Sequence, residues 1–314
     1  MKQIFNKSSL IIVNYGKVDY IISALNSLYY VNDISKYMDE IIIVDNSNEN
    51  LSENTIKHIV KDKFFFKLIP NNNNKYSSAV NIGVDNAKNN IVIISNNDII
   101  FPHNFNLKLL LEYINKPDVG VVVPQFLNID GSLQTSYGWF PTFSRTLLEI
   151  FMINVFLIKL KESVLRAHFI SEKPRKIQYA KGAFLVTKKV VFYKAKKFCE
   201  ELEFYGEDAL FSWEVRKKGF SVIIVPQVKL FHIDGGSSRK LNPLSYEEKL
   251  YRAKLKVAEM ISNKSLEYQL IRNNIKFGLY FRIIIKFLLY LIKNKKEDLD
   301  KANCLIKIKK KIFN

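Results

Sequence analysis

An uninterrupted run of β-branched apolar residues, Ile91-Val92-Ile93-Ile94, leads through Ser95 into the polar triplet Asn96-Asn97-Asp98. A carboxylate beside two amides suits a hydrated divalent cation, or the sugar and phosphate groups of a nucleotide. Such a run reads as a strand buried on both faces, and ligands in open α/β sheets gather at the carboxyl ends of strands. Asp98 is therefore expected at a cleft mouth. The competing reading is a plain turn, which Asn and Asp favour through local hydrogen bonds. Asp45 closes Ile41-Ile42-Ile43-Val44 and can accept from a nucleobase imide or a ribose hydroxyl, or it can serve as an ordinary cap. Glu207-Asp208 opens the amphipathic stretch Ala209–Arg216. They can be ordinary first-turn complements to the helix dipole, which needs only one acid, or Asp208 can be a general base at the cleft mouth. His232, one of four histidines, follows Val228–Phe231 and precedes Gly235-Gly236-Ser237. There a phosphate or metal role competes with a structural one.

These residues need elements to position them. Leu10-Ile11-Ile12-Val13 is a short buried strand ending at Asn14-Tyr15-Gly16, and residues 17–31 follow with helical apolar spacing. The Ile41 strand ends at Asp45-Asn46-Ser47, and Phe64–Ile69 ends at Pro70 and the Asn71–Asn74 run. A helix over 76–88 then leads to the Ile91 strand. This β-α-β-α order predicts a parallel sheet wound with right-handed crossovers, with the polar clusters converging at one edge. Further on, Val119–Val123 and Ser221–Val225 read as strands and 147–160 as an apolar helix. Tyr179–Val186 reads as a glycine-bearing turn into a strand, and about 209–218 as a helix.

A chain of 314 residues, 48% hydrophobic, can bury a large core and is not disordered throughout. Two cysteines far apart, Cys199 and Cys304, imply a reducing compartment without a disulfide framework. Leu10–Val13 is too short for a signal peptide, which points to the cytoplasm. The net charge of +18 calls for an anionic partner. Residues 240–314 hold 18 Lys and Arg against 7 Asp and Glu, so +11 of the +18 lies in the last quarter. Within it, 277–292 is mostly apolar, with Arg282, Lys286 and Lys293 on one helical face. A spanning helix needs roughly 20 apolar residues with few charges. The segment therefore suggests an interfacial helix with its cations toward lipid headgroups, or else a basic helix packed on the protein's own core.

In order and spacing the motifs resemble the family 2 glycosyltransferases of the GT-A fold, particularly the rhamnosyltransferase-like branch. The matching text is IIVNY at 11–15, IIIVDNS at 41–47, AVNIG at 79–83, the strand and SNND at 91–98, KGAFLV at 181–186, YGEDALFSWEVRKKGF at 205–220 and HIDGGSS at 232–238. The likeness spans roughly residues 8–238. It implies a Rossmann-like, mostly parallel sheet flanked by helices, forming a catalytic domain over 1–242 with a basic helical extension over 243–314. It further implies that Asp45, Asn46, Asn14 and Tyr15 hold the nucleotide, with Asn73, Asn81, Asn96 and Asn97 contributing to the nucleotide-sugar site. Asp98 falls in the acidic metal motif and His232 at the distal diphosphate or metal position, for Mg²⁺ or Mn²⁺. Asp208 takes the base position of the Glu207-Asp208 motif. Gly182 and Ala183 fall where a small residue lets both sugars approach the backbone.

Two departures stand out. The acidic motif has one carboxylate instead of two, which leaves most oxygen ligands to the diphosphate. Lys75 replaces the usual glycine of the Asn-x-Gly phrase. The expected reaction is an inverting transfer from a nucleotide diphosphate sugar to a hydroxyl of a cell-surface glycan or lipid-linked acceptor, at the inner face of the cell membrane. Other classes fit less well. No G-x-G-x-x-G follows a strand and no P-loop is present, which argues against dehydrogenases and P-loop NTPases. A sugar nucleotidylyltransferase gives no reason for Glu207-Asp208. A nucleic-acid binder would interleave its cations with aromatics on a sheet or groove, whereas here the excess lies on a C-terminal apolar helix. No nucleic-acid partner is expected.

Overall fold

The computed structural model describes residues 7–47, 51–71, 75–150, 173–202, 205–233, 243–263 and 265–313. The chain divides into two compact units. One takes in Met1–Gly138, Ser171–Glu203 and Glu207–Ser237, the other Trp139–Ile170, Phe204–Gly206 and Ser238–Asn314.

Along the chain the first unit begins β1 (Ser8–Asn14), α1 (Val18–Tyr29), β2 (Met38–Asp45), α2 (Glu53–Val60), β3 (Phe65–Pro70), α3 (Tyr76–Asn86), β4 (Ile91–Asn96) and β5 (Ile99–Ile100). It continues with α4 (Leu107–Ile114), β6 (Val119–Leu127), β7 (Leu133–Gln134) and β8 (Tyr137–Gly138). After α5 (Phe143–Ile150) of the second unit come β9 (Arg175–Lys176), β10 (Tyr179–Ala180), β11 (Phe184–Lys188), α6 (Lys189–Lys194), α7 (Glu207–Lys217) and β12 (Ser221–His232). The main sheet runs β3-β2-β1-β4-β11-β6-β12-β5, with β7 beside β6 and β9 beside β12. The β-branched runs behave as expected of strands covered on both faces: β1 is buried along its whole length, and so is β4 up to Asn96. Gly83 of α3 allows close approach to β1, since a Cβ there would meet Ile11 Cγ2 at 2.3 Å.

Pairing is parallel across β3-β2-β1-β4 and again between β6 and β12. The strand between those two blocks, β11, is antiparallel to both of its neighbours. The strand expected to stop at Val225 instead continues to His232, with its register against β6 shifting between Val225 and Lys229. The apolar helix expected over 147–160 is described only as far as Ile150; the rest lies outside the described residues.

The second unit holds α5, α8 (Pro243–Ile261), α9 (Leu266–Lys293) and α10 (Lys296–Phe313). Its core gathers Leu255 and Ala258 of α8, Ile271, Ile275 and Leu279 of α9, and Leu305, Ile308 and Phe313 of α10. Asn274 of α9 donates to the Phe143 carbonyl and the Thr146 hydroxyl, both at 3.2 Å, which ties α9 to α5. Two of the cations expected to face lipid are directed at neighbouring helices instead. Arg282 donates to Tyr251 Oη and lies 3.8 Å from Glu247, and Lys286 pairs with Asp298 at 2.6 Å. Among the described residues no helix is long and apolar enough to cross a membrane.

Candidate active site

Register explains why distant motifs meet. Asn14 lies opposite Asp45, Asp45 opposite Pro70, and Val13 opposite Asn96, so four parallel strands end level with one another. Because β11 runs the other way, it begins at this same edge: Asn96 N–H donates to the Ala183 carbonyl at 2.9 Å. The far end of β12 arrives there too, with His232 opposite Ile99 and Ile233 N–H donating to the Asp98 carbonyl at 3.0 Å.

Side chains then link these ends. Asn14 Nδ2 donates to Asp45 Oδ1 at 2.8 Å, and Asp45 Oδ1 also accepts from Ser47 N–H at 3.0 Å. Asn97 Nδ2 donates to Asn14 Oδ1 at 2.7 Å and to the Tyr15 carbonyl at 3.0 Å. Asn46 is buried; its N–H donates to the Asn14 carbonyl and its Oδ1 accepts from Asn71 Nδ2 at 2.7 Å. Tyr15 is exposed at the rim. Asn81 stands apart from this network. Its amide is engaged by the Phe198 backbone, at 3.0 Å in both directions, and by Glu200 Oε1 at 2.7 Å, which joins α3 to the segment before α7. Lys75 Nζ donates to the Glu200 carbonyl at 2.9 Å. Asn73 lies outside the described residues, as do Gly235, Gly236 and Ser237.

Asp98 is 5% exposed, and its buried Oδ1 has no hydrogen-bond partner among the described residues. That oxygen lies 3.4 Å from His232 Nε2. The other ring nitrogen, Nδ1, lies 2.7 Å from Gln134 Oε1, whose own amide nitrogen donates to Asn128 Oδ1 at 3.0 Å. Gln134 thus makes Nδ1 the protonated position and leaves the Nε2 lone pair toward the Asp98 carboxylate. Two acceptors facing one another suit a shared cation, so the residues fit Mg²⁺ or Mn²⁺. Among the described residues no group of three His, Cys, Asp or Glu forms a complete metal cage.

The paired carboxylates open α7 as the sequence implies. Asp208 Oδ2 accepts from Gly182 N–H at 3.0 Å and Oδ1 from Ala209 N–H at 2.7 Å. Tyr76 Oη donates to the Gly182 carbonyl at 2.8 Å, so the glycine is held on both sides. A Cβ at Gly182 would stand 3.3 Å from Asp208 Cβ, so larger residues would crowd the acid. Burial pushes Glu207 up to about 8, with the charge of Asp208 adding to it. Burial also raises Asp208, opposed by the Gly182 and Ala209 N–H groups and by Lys181. These donors favour the charged form of Asp208 and so work against its burial, while at Glu207 the charge of Asp208 works with burial. Burial raises Tyr76 well above its usual range, aided by Glu207, Asp208 and Asp98, so its hydroxyl remains a donor. Tyr76 and Gln134 escaped the sequence reading. Their partners lie 106 and 98 residues away, and no spacing signals them.

The raised Glu207 has a consequence for stability. Its folded-state value lies above the ordinary 4.5, so the folded chain binds this proton more tightly than the unfolded chain does. Stability from this group is complete below 4.5 and declines as pH rises toward 8. Glu207→Gln is therefore expected to raise Tm relative to the wild type at pH 8, with the gap closing as pH falls to 4.5. Equal Tm values across that range would refute the assignment.

Residues 9–159 match the family described as Glycosyl transferase family 2. No curated protein matches the chain. Among solved structures, GalNAc-T7 with UDP, GalNAc and Mn2+ is similar at TM-score 0.58 and 18% identity, covering 88% of this chain. The chain spans 55% of that protein's length. The mannosyltransferase PcManGT from Pyrobaculum calidifontis, in complex with GDP-Man and Mn2+, is similar at TM-score 0.58 and 12% identity, over 99% of this chain and 77% of its own. TarS 1-349 from S. aureus in complex with UDP is similar at 0.55 and 15%, over 96% and 80%. Sheet order and these likenesses agree: the chain has a GT-A fold, and its residues 9–159 match the Glycosyl transferase family 2 model.

Proposed function

We propose that the chain is an inverting glycosyltransferase. It moves a sugar, with rhamnose the candidate, from a nucleotide diphosphate sugar to a hydroxyl of a cell-surface glycan or lipid-linked acceptor. Its place is the cytoplasmic face of the membrane, as a peripheral protein with a catalytic domain over 1–242 and a basic helical region over 243–314. The observation that carries this reading is the sharing of one sheet edge by Asp45, Asp98 and Asp208, joined through Asn14, Asn97, Ala183 and Gly182. The donor class is supported by the UDP, GalNAc, GDP-Man and Mn2+ named in the similar structures.

In this reading Asp45 accepts from the base or ribose, and the buried Asn14 holds its carboxylate in place. Asp98 and His232 hold the divalent cation, which supplies positive charge to the leaving diphosphate when bound. Asp208 accepts the proton of the acceptor hydroxyl as its oxygen bonds to the anomeric carbon. The bond from that carbon to the diphosphate breaks, and the nucleoside diphosphate leaves with the electron pair. A single displacement inverts the configuration. The Gly182 and Ala209 N–H groups and Lys181 favour the charged form of Asp208 that this role needs.

A thermal-shift screen of UDP-, dTDP- and GDP-sugars with and without Mn²⁺ tests the donor class. One nucleotide is expected to raise Tm by about 5 °C or more near a hundred times its Kd, and only with the metal. No shift with any of them would contradict the reading.

A further inference from the structure

The helix α9 is 28 residues long and apolar on two faces. One of them, Ile271, Ile275 and Leu279, is buried against α8 and α10. The opposite face repeats every three to four residues through Phe277, Phe281, Ile284, Leu288 and Leu291, and every one of these side chains is exposed. Phe277 is 64% exposed, Leu291 62% and the adjoining Ile292 78%. A continuous outward stripe of this kind marks an interaction surface.

Charge around the stripe indicates what covers it. Residues 266–296 contain seven Lys and Arg and one acid, Glu267. Arg282 and Lys286 are turned to partners within the unit, whereas Lys293, Lys295 and Lys296 are exposed directly beyond Leu291 and Ile292. At the stripe's edge Lys309 stands 4.6 Å from the Tyr280 ring centre. Two copies pairing through this face would bring their basic rims together, while an anionic bilayer complements both the apolar stripe and the lysines. The helix fails as a membrane span, so it lies in the interface plane.

We infer that the outward face of α9, from Phe277 to Ile292 with the lysines at 293–296, is a docking face for an anionic lipid surface. This rests on the membrane-side part of the proposed function. It differs from the sequence expectation in the cations: the exposed apolar side chains meet the acyl region, while Arg282 and Lys286 serve the unit's interior and the lysines at 293–296 take the headgroups.

The test is co-sedimentation of the full chain with vesicles of phosphatidylcholine alone or enriched in phosphatidylglycerol, with donor hydrolysis read on the same samples. The wild type is expected to prefer the anionic vesicles by about fivefold for each exposed lysine. Ile284→Gln with Leu288→Gln and Leu291→Gln is expected to weaken binding at least about a hundredfold, each buried side chain being worth roughly tenfold. The Lys293→Glu, Lys295→Glu, Lys296→Glu variant should lose only the lipid preference. Donor hydrolysis should be unchanged in both. Should the apolar variant fail to fold, Ile292→Gln alone reads about a tenfold loss. Wild-type protein that ignores both vesicles, or variants that pellet like it, would overturn the inference. So would an apolar variant that turns a dimer into a monomer by sedimentation, since a second copy would then cover the face. Absent hydrolysis with intact vesicle binding would sink the catalytic reading alone.

Discussion

Asp208→Asn is expected to lower turnover by about 10²–10⁴-fold while nucleotide-sugar affinity stays within a few-fold of wild type. The carboxamide keeps the shape of the carboxylate but cannot take a proton from an attacking hydroxyl. One oxygen can still accept from Gly182 N–H, which sits 3.0 Å from Asp208 Oδ2, so the start of α7 remains in place. The change lies away from Asp45, whose partners are Asn14 and Ser47, and the base-binding end should be untouched. Turnover in a transfer assay and donor Kd by titration separate the two effects. Near-normal turnover would remove Asp208 as the base.

Asp98→Asn is expected to cost at least about a hundredfold in kcat/KM and to abolish stimulation by Mn²⁺. Asp98 is the only carboxylate in its triplet, and its Oδ1 is buried without a hydrogen bond among the described residues. That oxygen faces His232 Nε2 at 3.4 Å without a hydrogen bond among the described residues, so removing the carboxylate should leave the metal-free Tm unchanged or higher. Lower catalysis with intact Tm then reports loss of the cation site. Full Mn²⁺ stimulation of the variant would contradict the assignment.

The strand-end chemistry was legible because β1, β2 and β4 are buried nearly throughout, so apolar runs stop where the sheet edge begins. Parallel register brings Asn14, Asp45 and Asn96 level without further information. The role of β11 was not legible. Phe184–Lys188 looks like any buried strand, and its antiparallel place between β4 and β6 depends on long-range pairing. That placement brings Gly182 to Asp208 and Tyr76. Asn81 shows the opposite case: it sits in a recognisable phrase, yet its amide serves Phe198 and Glu200. For α9 the apolar length was readable, but which face turned outward depended on α8 and α10.

Manganese anomalous scattering from crystals grown with Mn²⁺ and a nucleoside diphosphate bears most directly on the sheet-edge assignment. A peak between the carboxylate of Asp98 and Nε2 of His232, with the base beside Asp45, is the result this account requires. A nucleotide bound away from that edge, or manganese held by other side chains, would contradict it.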